Sequence, residues 1–322
     1  MNWSEVDTWI VLTGALVSMA CAIPGVFLLL GKQSMFGHGV VHAVLPGLVI
    51  AFLITQSRDL GAVLVGATIA AILTGVFTQM VHRSGHVEEG ASLGVVFTSM
   101  FALGLLLIRV SVDSVHLDPD CVLFGILETS VVDAVLFNEI PRVTLHGATI
   151  LLLNLVLVSL FFKELRIATF DPALASAMGL RPKLINYGIM ISTAVTAVLA
   201  FESVGSIIVI AMMIAPAATA FLLTRSLLPM LLVSLTTAAA TALFGHLFAL
   251  HVPAVVFNAI TDSNRFGSTN VAGGMSVVAG LIFLLALFFS PNRGLVFRSF
   301  KRRALAAEAG TKIEPDFGSL KG

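Results

Sequence analysis

The chain carries no Asp, Glu, Lys or Arg from Ile10 to Leu30. The same holds from Leu60 to Val81, Leu93 to Ile108, Leu145 to Phe162 and Ser276 to Ser290. Such runs approach the roughly 20 apolar residues that a helix needs to cross a bilayer. Lipid admits only helices or closed barrels, because it offers the backbone no hydrogen bonds of its own. None of the runs alternates apolar and polar residues with the period of two that a barrel strand would need. Charged residues make up 11% of the 322 residues and hydrophobic ones 57%, with a mean hydropathy of +1.02. A soluble domain carries about 25% charged residues. These features predict an all-α, polytopic helical membrane protein with about nine transmembrane spans, near 9–30, 39–56, 60–81, 91–108, 143–162, 184–201, 204–223, 228–250 and 272–290.

The connections between these spans sort by charge. Fourteen of the eighteen Lys and Arg residues fall on one side, from Lys32 and Arg83 to the cluster Lys301, Arg302 and Arg303. Arg58, Arg109, Arg142 and Arg265 fall on the other. The excess of cations marks the cytoplasmic side, which places the N-terminus outside and the C-terminus inside. MNWSEVDTW has no positively charged leader region, so no cleaved signal is expected. Eleven of the eighteen acids lie on the outer side; topology by itself accounts for that distribution better than selection for cations does, although a negative vestibule would favour an incoming cation over an anion.

One transmembrane domain therefore covers 1–300, with an external segment over 109–142 and a cytoplasmic segment over 163–183. The external segment contains VHLDPDCVLFGILE, whose apolar residues predict a short packed helix. In the internal segment Asp171 is placed to cap a helix, Pro172 to occupy its first position and Gly179 to stop it. That spacing predicts a short helix over Pro172–Met178, with Leu174 and Met178 four apart on one face. Residues 301–322 are polar and short of large apolar side chains, and a disordered cytoplasmic tail is expected there. Cys21 lies in a span and Cys121 in a polar loop, so two free thiols are expected rather than a disulfide or a metal site.

Catalytic motifs are missing. No GxxxxGK[ST] phosphate-binding loop occurs, so ATP has no such site in this chain. GHGVVHAVLPG (37–47) has the histidine spacing of a zinc protease, but glycine stands where the general base would be. The chain is expected to be no enzyme, and no nucleic-acid partner is expected.

What remains in GHGVVHAVLPG is a pair of imidazoles inside a span. His38 and His42 are four apart, so their Cβ atoms lie about 5–6 Å from one another on one helix face. Two imidazoles so placed can converge on one transition-metal ion. Pro46 has no N–H to give to the His42 carbonyl, which predicts a kink at the level of the pair. Transporters use interrupted helices of this kind at their ion sites, and ionisable groups at such depth are costly enough to mark a functional site. A pair that only packs against neighbouring helices is the other reading. Glu202, in AFESVG, falls at an external turn and suits either simple solvation or capture of a cation. Pro216, in MIAPAATAF, frees the Met212 carbonyl and is followed by Ala217, Ala218 and Ala220, a pattern of close helix packing or of a hinge.

Several stretches, in this order, resemble the membrane-spanning permease subunits of ABC importers for manganese, zinc and iron(II). They are HAVLPG (42–47), DPALASAMGL (171–180), VGSIIVIAMMIAPAATAFLLT (204–224) and GGMSVVAGLIFLLALFFSPNRGLV (273–296). HLDPDCVLFG (116–125) resembles the external segment of a manganese-type branch. The resemblance implies a multi-pass protein of the bacterial cytoplasmic membrane that pairs with a second permease subunit, identical or not. It implies docking on two cytoplasmic ABC ATPase subunits, with Asp171, Pro172, Leu174, Met178 and Gly179 in the coupling segment. An extracytoplasmic binding protein would deliver the metal. The divalent ion, manganese, zinc or iron, would be cargo, with no cofactor permanently bound. The resemblance places a metal site at the histidine matched by His42, with an aspartate usually four residues before it. Here that position is His38, and imidazole suits zinc or iron better than manganese. The alternative is a self-sufficient secondary transporter that exchanges metal for protons through His38, His42 and Glu202. The two differ at 163–183, where an ATP-driven permease needs a docking element and an exchanger does not.

Overall fold

In the computed structural model the chain is described at residues 3–55, 60–111, 140–261 and 269–290, together with Leu127, Val131, 134–136 and Gly294. The elements are α1 (Glu5–Leu30), α2 (Ser34–Ala43), α3 (Leu45–Thr55), α4 (Leu60–Gly85) and α5 (Glu89–Ser111). A minimal antiparallel pair follows, β1 (Ala134–Leu136) with β2 (Ile140–Pro141). The chain continues through α6 (Arg142–Leu160), α7 (Phe162–Phe170), α8 (Pro172–Ala177), α9 (Pro182–Val204), α10 (Ser206–Leu223), α11 (Leu227–Thr261) and α12 (Val271–Phe289). Among the described residues eight helical stretches are long and apolar enough to cross a membrane, α2 and α3 together forming one of them. The ninth expected span is α10, whose apolar part, Ile208–Leu223, is shorter.

Local chemistry accounts for the helix ends. Ser4 and Asp7 start α1 with a reciprocal box: the Asp7 N–H donates to Ser4 Oγ (3.2 Å) and the Ser4 N–H to Asp7 Oδ2 (2.8 Å). Asn270 starts α12 by accepting the Gly273 N–H at 3.1 Å. The second span begins at Ser34, earlier than the sequence suggests, and is divided at Val44, two residues before Pro46.

α1 lies at the centre, against α6, α9, α10 and α11, and its residues Val17, Ala20, Cys21, Ala22 and Val26 are buried. Two prolines within helices interrupt the backbone ladder here, and each gap has a substitute donor. Pro24 cannot serve the Ala20 carbonyl, and Asn154 Nδ2 of α6 donates to it at 3.1 Å. Pro253 cannot serve the Ala249 carbonyl, and the Thr269 N–H donates to it at 3.1 Å. That replacement lets α11 run on to Thr261, well past the end near 250 that its sequence suggests. α3 and α4 cross with backbones in contact at Gly47 and Gly66, and a Cβ on Gly47 would lie 2.8 Å from the Ala70 Cβ.

The helix expected in VHLDPDCVLFGILE falls outside the described residues apart from Leu127, which is helical and buried. Cys121 and the expected tail at 301–322 also lie outside them. Cys21 is a free, buried thiol.

Candidate functional site

Phe36, Val40, Val41 and Ala43 seat α2 in the bundle, on contacts with α1, α5, α9 and α10. That seating leaves His38 and His42 together on the face towards α5, both half-buried. Their ring centroids are 5.0 Å apart, with planes at 73°. Two residues of α5, themselves four apart, close over them. Phe97 meets His38 edge-on (5.4 Å) and stacks along His42 (6.2 Å, 27°), while Phe101 meets His42 edge-on at 5.2 Å. The phenyl rings fix the tilt of both imidazoles and keep water from one side of the pair. They are the residues that sequence reasoning missed. The only signal they offered was an i, i+4 aromatic pair in FTSMF, which any packed helix face also shows.

His42 Nδ1 is buried and has no hydrogen-bond partner. A buried nitrogen left without a partner is costly, and buried polar atoms are as a rule paired. Neutral imidazole presents a lone pair on one ring nitrogen, the form in which it binds a metal ion. No group of three or more His, Cys, Asp or Glu side chains converges among the described residues. The pair therefore offers two nitrogen ligands of a tetrahedral or octahedral set and leaves the rest open. Rise along the helix puts His42 about 12 Å from the start of the span at Ser34, well inside a 30 Å hydrocarbon core.

The other candidate residues lie elsewhere. Glu202 belongs to the last turn of α9, next to the bend at Gly205, and its side chain is outside the described residues. Pro46 is in the first turn of α3. Pro216 stands within α10, which passes it without interruption, and Ala217 and Ala220 beside it are fully buried.

The segment Asp171–Gly179 is a separate feature. Asp171 Oδ1 accepts the Leu174 N–H at 2.9 Å, and Pro172 occupies the first position of α8. Gly179 ends the turn at φ +81°, where a side chain would be strained, and the Leu180 N–H returns to the Ala175 carbonyl at 3.0 Å. Ala175 is buried and anchors α8 against the bundle, whereas Leu174 and Met178 are 49% and 60% exposed. Two apolar side chains so open on a well-capped helix form a contact surface that water does not favour.

One polar pair, buried on its histidine side, had no counterpart in the sequence reading. His246, 1% exposed on α11, has its Nε2 3.1 Å from Asp7 Oδ1 on α1, and Trp3 meets its ring edge-on at 5.6 Å. The pair ties the amino-terminal turn of α1 to α11.

The profile of the ABC 3 transport family matches residues 5–261. The zinc transport system membrane protein TroD of Treponema pallidum is 39% identical over 298 residues, covering 92% of this chain and 77% of that protein. The manganese transport system membrane protein MntD of Bacillus subtilis is 35% identical over 306 residues, covering 92% and 96%. Among solved structures, PsaBC from Streptococcus pneumoniae in complex with Fab superposes with a TM-score of 0.73 at 27% identity, covering 93% of this chain and 96% of that one.

Proposed function

The chain belongs to the ABC 3 transport family, and from that membership we propose that it passes divalent first-row metal ions through His38 and His42. It is a multi-pass membrane permease subunit of an ATP-driven importer, not an enzyme. The cargo is manganese, zinc or iron: TroD is named for zinc, MntD for manganese, and a 30% identical relative from Haemophilus influenzae for iron.

The observation that carries the proposal is the pairing of two half-buried imidazoles, His38 and His42, with ring centroids 5.0 Å apart inside a span. Two nitrogen ligands hold a metal loosely, which suits a conduit, because an ion bound too firmly does not leave. A second permease subunit facing the pair would add ligands while the ion passes. Mixed imidazole chemistry admits zinc, iron and manganese, with softness favouring the first two. Protons compete for the same lone pairs, so acid opposes loading.

The charge asymmetry supports an external N-terminus, with α8 on the cytoplasmic side. There α8 would meet an ABC ATPase through Leu174 and Met178, while an extracytoplasmic binding protein delivers the ion near Glu202. Pro46 and Pro216 are the hinge candidates. The exposed apolar face of α8 favours this reading over a self-sufficient proton exchanger, which has no use for it.

His42→Ala tests the site. The expected result is loss of radiolabelled manganese, zinc and iron uptake, with normal expression and unchanged co-purification of the ATPase. His38→Asp should still transport and should shift preference towards manganese. Uptake by His42→Ala at the parent's rate would remove the pair from the pathway. A chain that transports in vesicles without any ATPase would establish the exchanger instead.

A further inference from the structure

We propose that a groove at the lysine-rich end of the bundle binds the headgroup of an acidic phospholipid. The groove encloses about 500 Å³ between the end of α1, the α7–α8 segment and the start of α9. Its floor is apolar, with Phe27, Ile185 and Ile189, and its rim carries Lys32, Lys183 and Asn186. Among the described residues no Asp or Glu lines it. Asp171, next to Pro172 on its wall, is engaged in capping α8.

Three sources of positive potential meet there. Lys32 and Lys183 are both exposed where they line the groove. The start of α9 adds the positive end of a 23-residue helix, with no side-chain cap on Arg181 and no acid in its first turn. Lys32 is also held at φ +58°, a left-handed conformation that glycine takes without strain and lysine does not. A strained position that keeps a long cationic side chain is accounted for if the side chain has a ligand.

The apolar floor separates a lipid from a free anion. Phosphate alone would be served by the rim, and only an amphiphile uses Phe27, Ile185 and Ile189 as well. The groove opens where spans end, at the depth of the headgroups, and anionic lipids concentrate beside cationic residues there. The occupant would touch Pro172, the residue at which α8 starts, and so steady the helix proposed to meet the ATPase.

The test uses the permease with its ATPase subunits, purified in mild detergent and exchanged into micelles doped with phosphatidylglycerol or phosphatidylcholine. Lipid retained is read by native mass spectrometry, together with ATPase stoichiometry. The parent should retain phosphatidylglycerol in preference, and Lys32→Gln with Lys183→Gln should lower that preference about 30-fold, the worth of two interfacial cations. The double Lys→Arg variant should keep it. Equal retention of both lipids overturns the proposal. So does displacement of the retained lipid by millimolar inorganic phosphate, which would make the groove a simple anion site. Loss of the ATPase from the Gln variant also overturns it, because the groove would then belong to the subunit interface.

Discussion

Asn154 is predicted to act as a replacement for the backbone N–H that Pro24 lacks. The side chain is 1% exposed and makes three hydrogen bonds across helices. Its Nδ2 donates to the Ala20 carbonyl (3.1 Å) and to Thr196 Oγ1 (2.8 Å), and its Oδ1 accepts from Ser192 Oγ (2.8 Å). Thr196 has a second bond, to the Ser192 carbonyl at 2.7 Å, so it loses little when Asn154 goes. The Ala20 carbonyl is different, because Pro24 has already removed its helical donor. Asn154→Ala should therefore cost about 1–3 kcal/mol for the orphaned carbonyl. The two side-chain bonds add about 0.6 kcal/mol each, the average for interhelical bonds in membranes. The total is about 3 kcal/mol. In a Pro24→Ala background the backbone N–H restored at that position can serve the Ala20 carbonyl, and the cost of Asn154→Ala should fall to about 1 kcal/mol. Equilibrium unfolding in mixed micelles, followed by the emission of Trp3 and Trp9 near the start of α1, measures all four corners of this cycle. Equal costs of Asn154→Ala in both backgrounds would refute the reasoning.

Gly47→Ala should destabilise by about 1–3 kcal/mol, because its Cβ meets the Gly66 backbone and α3 must move off α4; Gly188→Ala, inside α9 with nothing within 4 Å, is the control and should stabilise by up to about 1 kcal/mol in the same unfolding assay. Replacing Leu174 and Met178 together by Asp should abolish ATPase co-purification and uptake while leaving the melting temperature of the permease within a few degrees. Uptake by the parent should decline as the medium is acidified, because protons compete with the metal for the imidazole lone pairs; a flat uptake profile from about pH 8 to 5 would contradict this. Pro46→Ala and Pro216→Ala should slow uptake by restoring helix bonds at the proposed hinges. Pro253→Ala, whose gap is already filled by the Thr269 N–H, should leave it unchanged.

Which features could be read from the sequence follows from what lipid requires of each residue by itself. Every position in a span must be apolar or paid for, so α1, α4, α5, α6 and α12 stand out as charge-free runs. Asp171, Pro172 and Gly179 act on their immediate neighbours, and α8 was legible from them. His38 and His42 were legible because helix geometry alone brings i and i+4 together. Partnerships across helices carry no such local mark. Phe97 and Phe101 are as apolar as leucine, so nothing in their type shows that they cover imidazoles. Asn154 lies 134 residues from Ala20, and His246 lies 239 from Asp7. Prolines are the partial exception, since each one inside a span announces a carbonyl in need of a donor. Pro24 and Pro253 have such donors, on α6 and just before α12. For Pro46 and Pro216, no donor from outside the same span reaches the His42 or Met212 carbonyl among the described residues. A break left open bends more easily than one closed by a neighbouring side chain. That difference, rather than proline itself, is the physical ground for placing motion at α2–α3 and α10 and rigidity at α1 and α11.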